Sequence, residues 1–174
     1  MTPLQKIAMG LVIVLVDAFF GGYDGVPDPL GWAMVIAGLL PLRAALAEGS
    51  ALVSTAGICL VVSLATYPPQ VADRLDESGG WALSLPQLAF SFLLCTALAP
   101  VSDWLAGRFR LLRWVFVVVA AGPVLVFGGG VEVLRSPIAL LVVGANIYFV
   151  YLLFHASAVM RAAEPSADRD DQPG

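Results

Sequence analysis

The sequence predicts an all-α fold, a polytopic membrane bundle of six transmembrane helices, and three observations predict it. First, 59% of the 174 residues are hydrophobic, 13% are charged, and the mean hydropathy is +0.88. A soluble domain is about 45–50% apolar and about 25% charged, so a soluble enzyme, a disordered chain and a secreted disulfide scaffold are excluded. Second, the apolar residues form six continuous stretches. Third, the cations between these stretches sort to one side.

The six stretches end at charged or Gly/Pro-rich boundaries. Each is predicted to be helical, because a helix satisfies its own backbone hydrogen bonds in lipid. A helix needs about 20 apolar residues to cross the hydrocarbon core, with about 17 as the lower limit. Pro86 and Pro100 predict a tilted or kinked fourth helix. The stretches are residues 4–22, 30–47, 50–67, 82–105, 110–128 and 137–160.

Residues 1–161 therefore form the predicted transmembrane domain, and the polar residues 162–174 predict a disordered cytoplasmic tail. With the N-terminus in the cytoplasm, two cations, Arg74 and Arg135, lie outside. The seven on the cytoplasmic side are Lys6, Arg43, Arg108, Arg110, Arg113, Arg161 and Arg169. Cytoplasmic loops carry the excess of Lys and Arg. Both termini are thus predicted to lie in the cytoplasm. The protein itself is predicted to lie in the cell membrane of a bacterium.

The acidic side chains near the end of the first stretch are the first candidates for a polar site. Asp17 lies within the apolar run, and an ionisable group there is by default a functional hypothesis. Asp24 and Asp28 follow in a Gly- and Pro-rich loop, where carboxylates could bind a cation or a proton. The alternative is structural, with Asp28 as the cap of helix two and Asp24 as a solvated turn residue.

This segment also resembles a known group of proteins. An Asp late in the first helix precedes a Pro-Asp-x-x-Gly turn and an apolar helix with Gly-Leu near its end. The matching residues are Asp17, Pro27, Asp28, Gly31, Gly38 and Leu39. The pattern is similar to that of small uncharacterised bacterial multi-pass membrane proteins. The resemblance implies a multi-pass membrane protein and carries no assigned activity.

Polar side chains also recur at helical spacing in three later stretches. The third holds Thr55, Cys59, Ser63 and Tyr67, and the fourth holds Ser84, Gln87, Ser91 and Cys95. The spacings of three and four place each set on one helix face, which favours helix packing or a polar path between the two helices. The sixth carries Asn146, Tyr148, Tyr151 and His155. Gln87, Asn146 and His155 complete the set of candidate polar residues.

The tryptophans and cysteines carry structural predictions. Trp32 and Trp81 fall near the predicted outer helix ends, and Trp104 and Trp114 near the inner ends, as in an aromatic belt. Cys59 and Cys95 lie inside apolar stretches and predict free, buried thiols. His155 has no metal-ligating neighbour at suitable spacing. Neither a metal nor a cofactor is therefore expected.

No catalytic motif stands out, so the sequence favours a non-catalytic membrane component or accessory subunit. The alternative is a transporter or channel subunit for a small solute or ion that uses Asp17. A membrane-embedded enzyme has the least support. The expected partners are the lipid bilayer and another membrane protein or a second copy of the chain. Nucleic acid is excluded, because the net charge is −4 and no basic face is present.

Overall fold

The computed structural model describes residues 1–19, 28–72, 76–101, 103–130 and 132–163. Within these ranges the chain is all-α, as predicted, with no strand and with six helices of at least 12 residues. A seventh, α4, is a single turn. The bounds are α1 Pro3–Phe19, α2 Asp28–Leu39, α3 Gly49–Thr66, α4 Pro69–Ala72, α5 Glu77–Leu98, α6 Asp103–Pro123 and α7 Arg135–Ala163.

The six longer helices form a closed ring in chain order. Each of α1, α2, α3, α5, α6 and α7 packs against the next, and α7 returns to pack against α1. Successive helices run in opposite directions. The end of the bundle where α1 begins and α7 ends is called the terminal face, and the opposite end the distal face. Thr2 and Pro3 line one cavity with Met160 and Arg161, so the two outermost helix ends lie close together.

Bulky side chains fill the middle of the ring. The buried residues of α6 recur every three or four positions, as expected for one face of a helix; they are Leu105, Phe109, Leu112, Phe116 and Val119. Phe116 meets Phe149 of α7 edge to face, with ring centroids 5.4 Å apart. Such aromatic pairs contribute about 0.5–1.5 kcal/mol beyond the apolar area that they bury.

Four helices, α3, α5, α6 and α7, are long and apolar enough to span a membrane. Between 22% and 33% of the residues in their apolar windows are buried inside the protein. Large apolar side chains such as Ile58, Val61 and Leu64 of α3 therefore face outward. Outward apolar faces are compatible with a membrane protein, because lipid tails are as apolar as these side chains. The remaining two helices, α1 and α2, are apolar but shorter.

Two of the helix ends that differ from the predicted stretches lie next to a proline. The second stretch was expected to continue to residue 47, but α2 ends at Leu39 and passes into a 3₁₀ turn around Pro41. The fourth was expected to continue to residue 105, but α5 ends at Leu98, before a 3₁₀ turn around Pro100. Proline has no N–H to donate and clashes with the preceding turn. Pro41 and Pro100 therefore favour the end of the α-helix even where the flanking residues are apolar, whereas α5 continues through Pro86.

The fifth helix begins seven residues before the predicted stretch 110–128. Because α6 begins at Asp103, Arg108 and Arg110 occupy its second and third turns. Arg113 lies halfway along α6, and its guanidinium carbon is 5.6 Å from the ring centroids of both Phe92 and Trp114. Arg108, which falls between the predicted stretches 82–105 and 110–128, is therefore part of a helix, and Arg113 is far from a helix end.

The helical geometry of α6 changes at its distal end. Directly after Pro123 the helix widens into a π turn, Val124–Gly128. Gly130 then has φ +65°, a left-handed conformation that favours glycine. The chain turns there toward α7.

Glycines bring α1 and α2 together. A Cβ on Gly31 would lie 2.7 Å from the carbonyl oxygen of Gly10, and a Cβ on Gly38 would lie 2.7 Å from that of Pro3. Contacts this short leave no room for a side chain. Small residues allow such backbone approach between membrane helices, where packing replaces the hydrophobic effect as the driving force.

Candidate functional site

A cavity of about 320 Å³ lies inside the ring, toward the distal face. Five helices contribute to its wall: α1, α2, α5, α6 and α7. Most of the wall is apolar and includes Val14, Val119 and Val142. The polar side chains and the one indole that line it are Asp28, Trp81, Ser84, Gln87 and Asn146.

A second cavity, of about 250 Å³, adjoins the first between α2, α3 and α5. Asp28, Ser84 and Gln87 line both cavities, so these three residues form a shared polar wall. On the α3 side the second cavity is lined by Cys59, Ser63 and Thr66 among others. The polar stripes predicted on the third and fourth stretches therefore do face one another here.

The polar path does not continue along α5 toward the terminal face. Ser91 is 2% exposed and Cys95 is fully buried. Trp32, which lines the second cavity, packs edge to face against Phe90 with ring centroids 5.3 Å apart. The packing of these bulky rings closes the bundle below the cavities. The arrangement is a pair of polar cavities near one face.

Several polar groups of the wall have hydrogen-bonding capacity left. The Ser84 hydroxyl donates to the carbonyl oxygen of Trp81 at 2.7 Å, and the Asn146 amide donates to that of Val142 at 2.8 Å. Both bonds stay within one helix and leave the Ser84 hydroxyl oxygen and the Asn146 amide oxygen able to accept. Among the described residues, none forms a hydrogen bond with the Gln87 carboxamide. That group offers two donors and an acceptor.

Trp81 connects this wall to α6 on the distal side. Its indole N–H donates to the carbonyl oxygen of Ala120 at 3.2 Å, which joins α5 to α6. Pro123 follows one turn later, where the peptide nitrogen has no hydrogen to bond the preceding turn. A side-chain donor from α5 thus supports the backbone of α6 just before the helix widens.

Of the predicted candidates, the structure brings Asp28, Gln87 and Asn146 to one cavity. Asp28 is also the first residue of α2, where a carboxylate suits the helix dipole. His155 lies elsewhere, in the terminal half, with its ring 4.8 Å from that of Trp104. Asp17 belongs to the last turn of α1, but its side chain and all of Asp24 lie outside the described residues. Their roles stay predictions.

The tryptophans were only partly predicted. Trp104 is 50% exposed in the first turn of α6, as expected for an aromatic belt. Trp114 is 60% exposed but lies in the middle of α6, so its predicted place near a helix end was wrong. Trp32 is 2% exposed and belongs to the core, so its place in the belt was wrong. Hydropathy position alone located Trp32 near a helix end. It could not show that α5 places Phe90 against the ring.

Both cysteines are free and buried, as predicted. In the ranges covered by the structure, no three His, Cys, Asp or Glu side chains are close enough to hold a metal ion. Asp28 is the one acidic residue among the described residues of the cavity walls. Together with the neighbouring amides and hydroxyls, this wall can hydrogen-bond a small polar molecule.

Comparisons with protein-family models, curated proteins and solved structures found no match. The geometry of the cavities is therefore the main guide to function. The resemblance of residues 17–39 to small bacterial membrane proteins stays a prediction.

Proposed function

We propose that this protein is a non-catalytic component of the cell membrane that binds a small solute in the two distal cavities. The single observation that carries the proposal is the shared wall of Asp28, Ser84 and Gln87 between them. Binding sites are concave, largely apolar and fitted with a few polar groups that set orientation. The larger cavity has this composition.

The solute that fits this wall is small and amphipathic. Its polar end would carry donors and acceptors for the Gln87 carboxamide and the oxygen of Asn146. Its apolar part would lie against Val119 and Val142. The cavities favour a solute-binding or transport subunit over an accessory subunit without a site of its own. Asp17 follows Val14 of the cavity wall by three residues, so a role in coupling a proton or cation remains part of the proposal.

The proposed arrangement in the membrane has six spans and a cytoplasmic terminal face. The closed ring supports six spans, because it places the shorter α1 and α2 in one layer with the four long helices. The distribution of cations supports the orientation. Lys6, Arg43 and Arg161 lie toward the terminal face, whereas Arg135 begins α7 at the distal face. The cavities would then face the outside.

A thermal unfolding screen of the purified protein tests solute binding. The probes are panels of small amides, nucleobases, amines and sugars. A solute that binds only the folded state raises the unfolding midpoint. We expect one panel to raise it for the wild type and for Gln70→Leu, a matched control because Gln70 is exposed on α4. Gln87→Leu should lose the effect. A midpoint that no panel raises, or that rises equally in Gln87→Leu, contradicts the proposal.

A further inference from the structure

A continuous row of aromatic and basic side chains crosses from α6 to α7 and runs from the terminal half of the bundle to the middle of α7. The Arg108 guanidinium carbon lies 3.7 Å above the Trp104 ring, and that ring is 4.8 Å from His155. Along α7, His155 stacks on Tyr151 and Tyr151 on Tyr148, each at 6.2 Å between centroids. These five residues, Tyr148, Tyr151, His155, Trp104 and Arg108, are called the aromatic strip.

The polar atoms of the aromatic strip are available to an outside partner. Within the described part of the chain, none of its five side chains makes a hydrogen bond or a salt bridge. Trp104 is 50% exposed and Tyr151 is 53% exposed. Arg108, His155 and Tyr148 are half-buried. The strip therefore presents the Trp104 indole and the Tyr151 phenol on an outer face of the bundle, where lipid would lie, with the guanidinium and the imidazole partly exposed beside them.

The charge of the strip suits an anion. The planar guanidinium of arginine suits the geometry of a phosphate, and the position of Arg108 over Trp104 orders the guanidinium before a ligand arrives. The nearest acidic residue in sequence, Asp103, occupies the first turn of α6, where the helix dipole accommodates it. Arg110 and Arg161 add positive charge to the same end of the bundle.

The strip is long enough to cross the headgroup layer and reach the hydrocarbon core. The headgroup layer on each side of a bilayer is about 5–7 Å thick. Four residues of helix separate His155 from Tyr151, which corresponds to about 6 Å along the axis, and seven separate it from Tyr148, about 10 Å. A phosphate beside Arg108 and His155 would thus place the ester carbonyls near the Tyr151 hydroxyl, with Tyr148 at the start of the acyl chains. The exposed Leu111, one turn after Arg108, would contact the acyl chain.

We propose that the aromatic strip binds an anionic phospholipid, with the phosphate held by Arg108 and His155. The assignment does not depend on the solute-binding cavities, because none of the five strip residues lines either of them. Basic sites between membrane helices on the cytoplasmic side recognise anionic headgroups in this way.

Native mass spectrometry of the full chain in detergent tests the assignment, with phosphatidylglycerol and phosphatidylcholine as the two probes. We expect phosphatidylglycerol to bind in preference, and Arg108→Gln to weaken its binding about fivefold, as for one arginine at an anionic surface. Arg43→Gln is the matched control, because Arg43 is exposed at the same end but lies outside the strip. Arg108→Lys keeps the charge and should bind more phosphatidylglycerol than Arg108→Gln does.

Three results would overturn the proposal. They are equal binding of the two lipids, an equal loss in Arg43→Gln and Arg108→Gln, and displacement of phosphatidylglycerol by equimolar inorganic phosphate. The last would mean that the site binds a free anion and not a lipid. Size-exclusion profiles of all variants are recorded first, and if Arg108→Gln does not fold, Trp104→Leu replaces it with the same expected loss.

Discussion

At the scale of single residues, two tryptophans that the sequence placed near helix ends differ in burial. Trp32 is 2% exposed and Trp114 is 60% exposed. Truncation of a buried tryptophan leaves a void that the surroundings fill only in part, at a cost of about 3–5 kcal/mol. We expect Trp32→Ala to lower the free energy of unfolding by roughly 3 kcal/mol, and Trp114→Ala to change it little. Reversible unfolding in mixed micelles measures both, and equal losses would contradict the packing of Trp32 on Phe90.

A substitution at Gln87 distinguishes an effect on stability from an effect on solute binding. Its carboxamide forms no hydrogen bond within the described ranges, so Gln87→Leu removes a polar group without breaking an internal bond. We expect this variant to be as stable as the wild type or more stable, while it loses the solute-dependent rise in unfolding midpoint. Binding sites commonly carry such a cost in stability. A clear fall in stability for Gln87→Leu would instead indicate a structural role for the amide.

At the scale of elements, the contact of α1 with α2 depends on glycine. The Cβ of an alanine at position 31 would lie 2.7 Å from both the Gly10 oxygen and a methyl of Val14. Overpacking of this kind costs about 1–3 kcal/mol, so Gly31→Ala should lower the unfolding midpoint. Gly57→Ala on α3 is the control, since a Cβ there meets nothing within 4 Å. It should be neutral or slightly stabilising, because alanine is the better helix former. The same loss in both variants would contradict the contact.

The sequence predicted some helices better than others, for a physical reason. For α3 and α7 the predicted limits agree with the structure within three residues, because charged or Gly/Pro-rich segments bound both. The ends of α2 and α5 were missed, because Leu40–Leu42 and Ala99–Val101 are apolar although their prolines stop the α-helix. Hydropathy reports solvent preference and not backbone geometry.

The same limit applies to the candidate site. Periodicity identified the face of α5 that carries Ser84 and Gln87, and it identified Cys59 and Ser63 on α3. It could not show which helices oppose those faces. Asn146 of α7 shares a cavity with Gln87, while His155 of the same helix lies nearer the terminal face against Trp104, and this difference depends on how deep along α7 each residue lies.

At the scale of the whole molecule, the proposed orientation has a direct test. In a Cys59→Ala, Cys95→Ala background, single cysteines replace Ser78 or Ser166. Because both native cysteines are free, this background should express as the wild type does. We expect an impermeant maleimide to label position 78 on intact cells and to label position 166 only after lysis. The reverse pattern would place the terminal face outside and contradict the sorting of cations.

The closed ring of helices also determines where new chain termini could be introduced by circular permutation. No helix in it depends on being first or last in the sequence, since α1 and α7 pack as neighbours like any consecutive pair. The ends of these two helices are close enough to line one cavity. A circular permutant could join these two ends by a short linker and start at α3. It would lose only the covalent connection through residues 43–48 and would keep every contact between helices. In the proposed six-span arrangement the new ends would emerge on the same side as the old ones, because α3 also begins at the terminal face. The natural order of helices is then one of three ways to cut the ring that leave both ends on the terminal face.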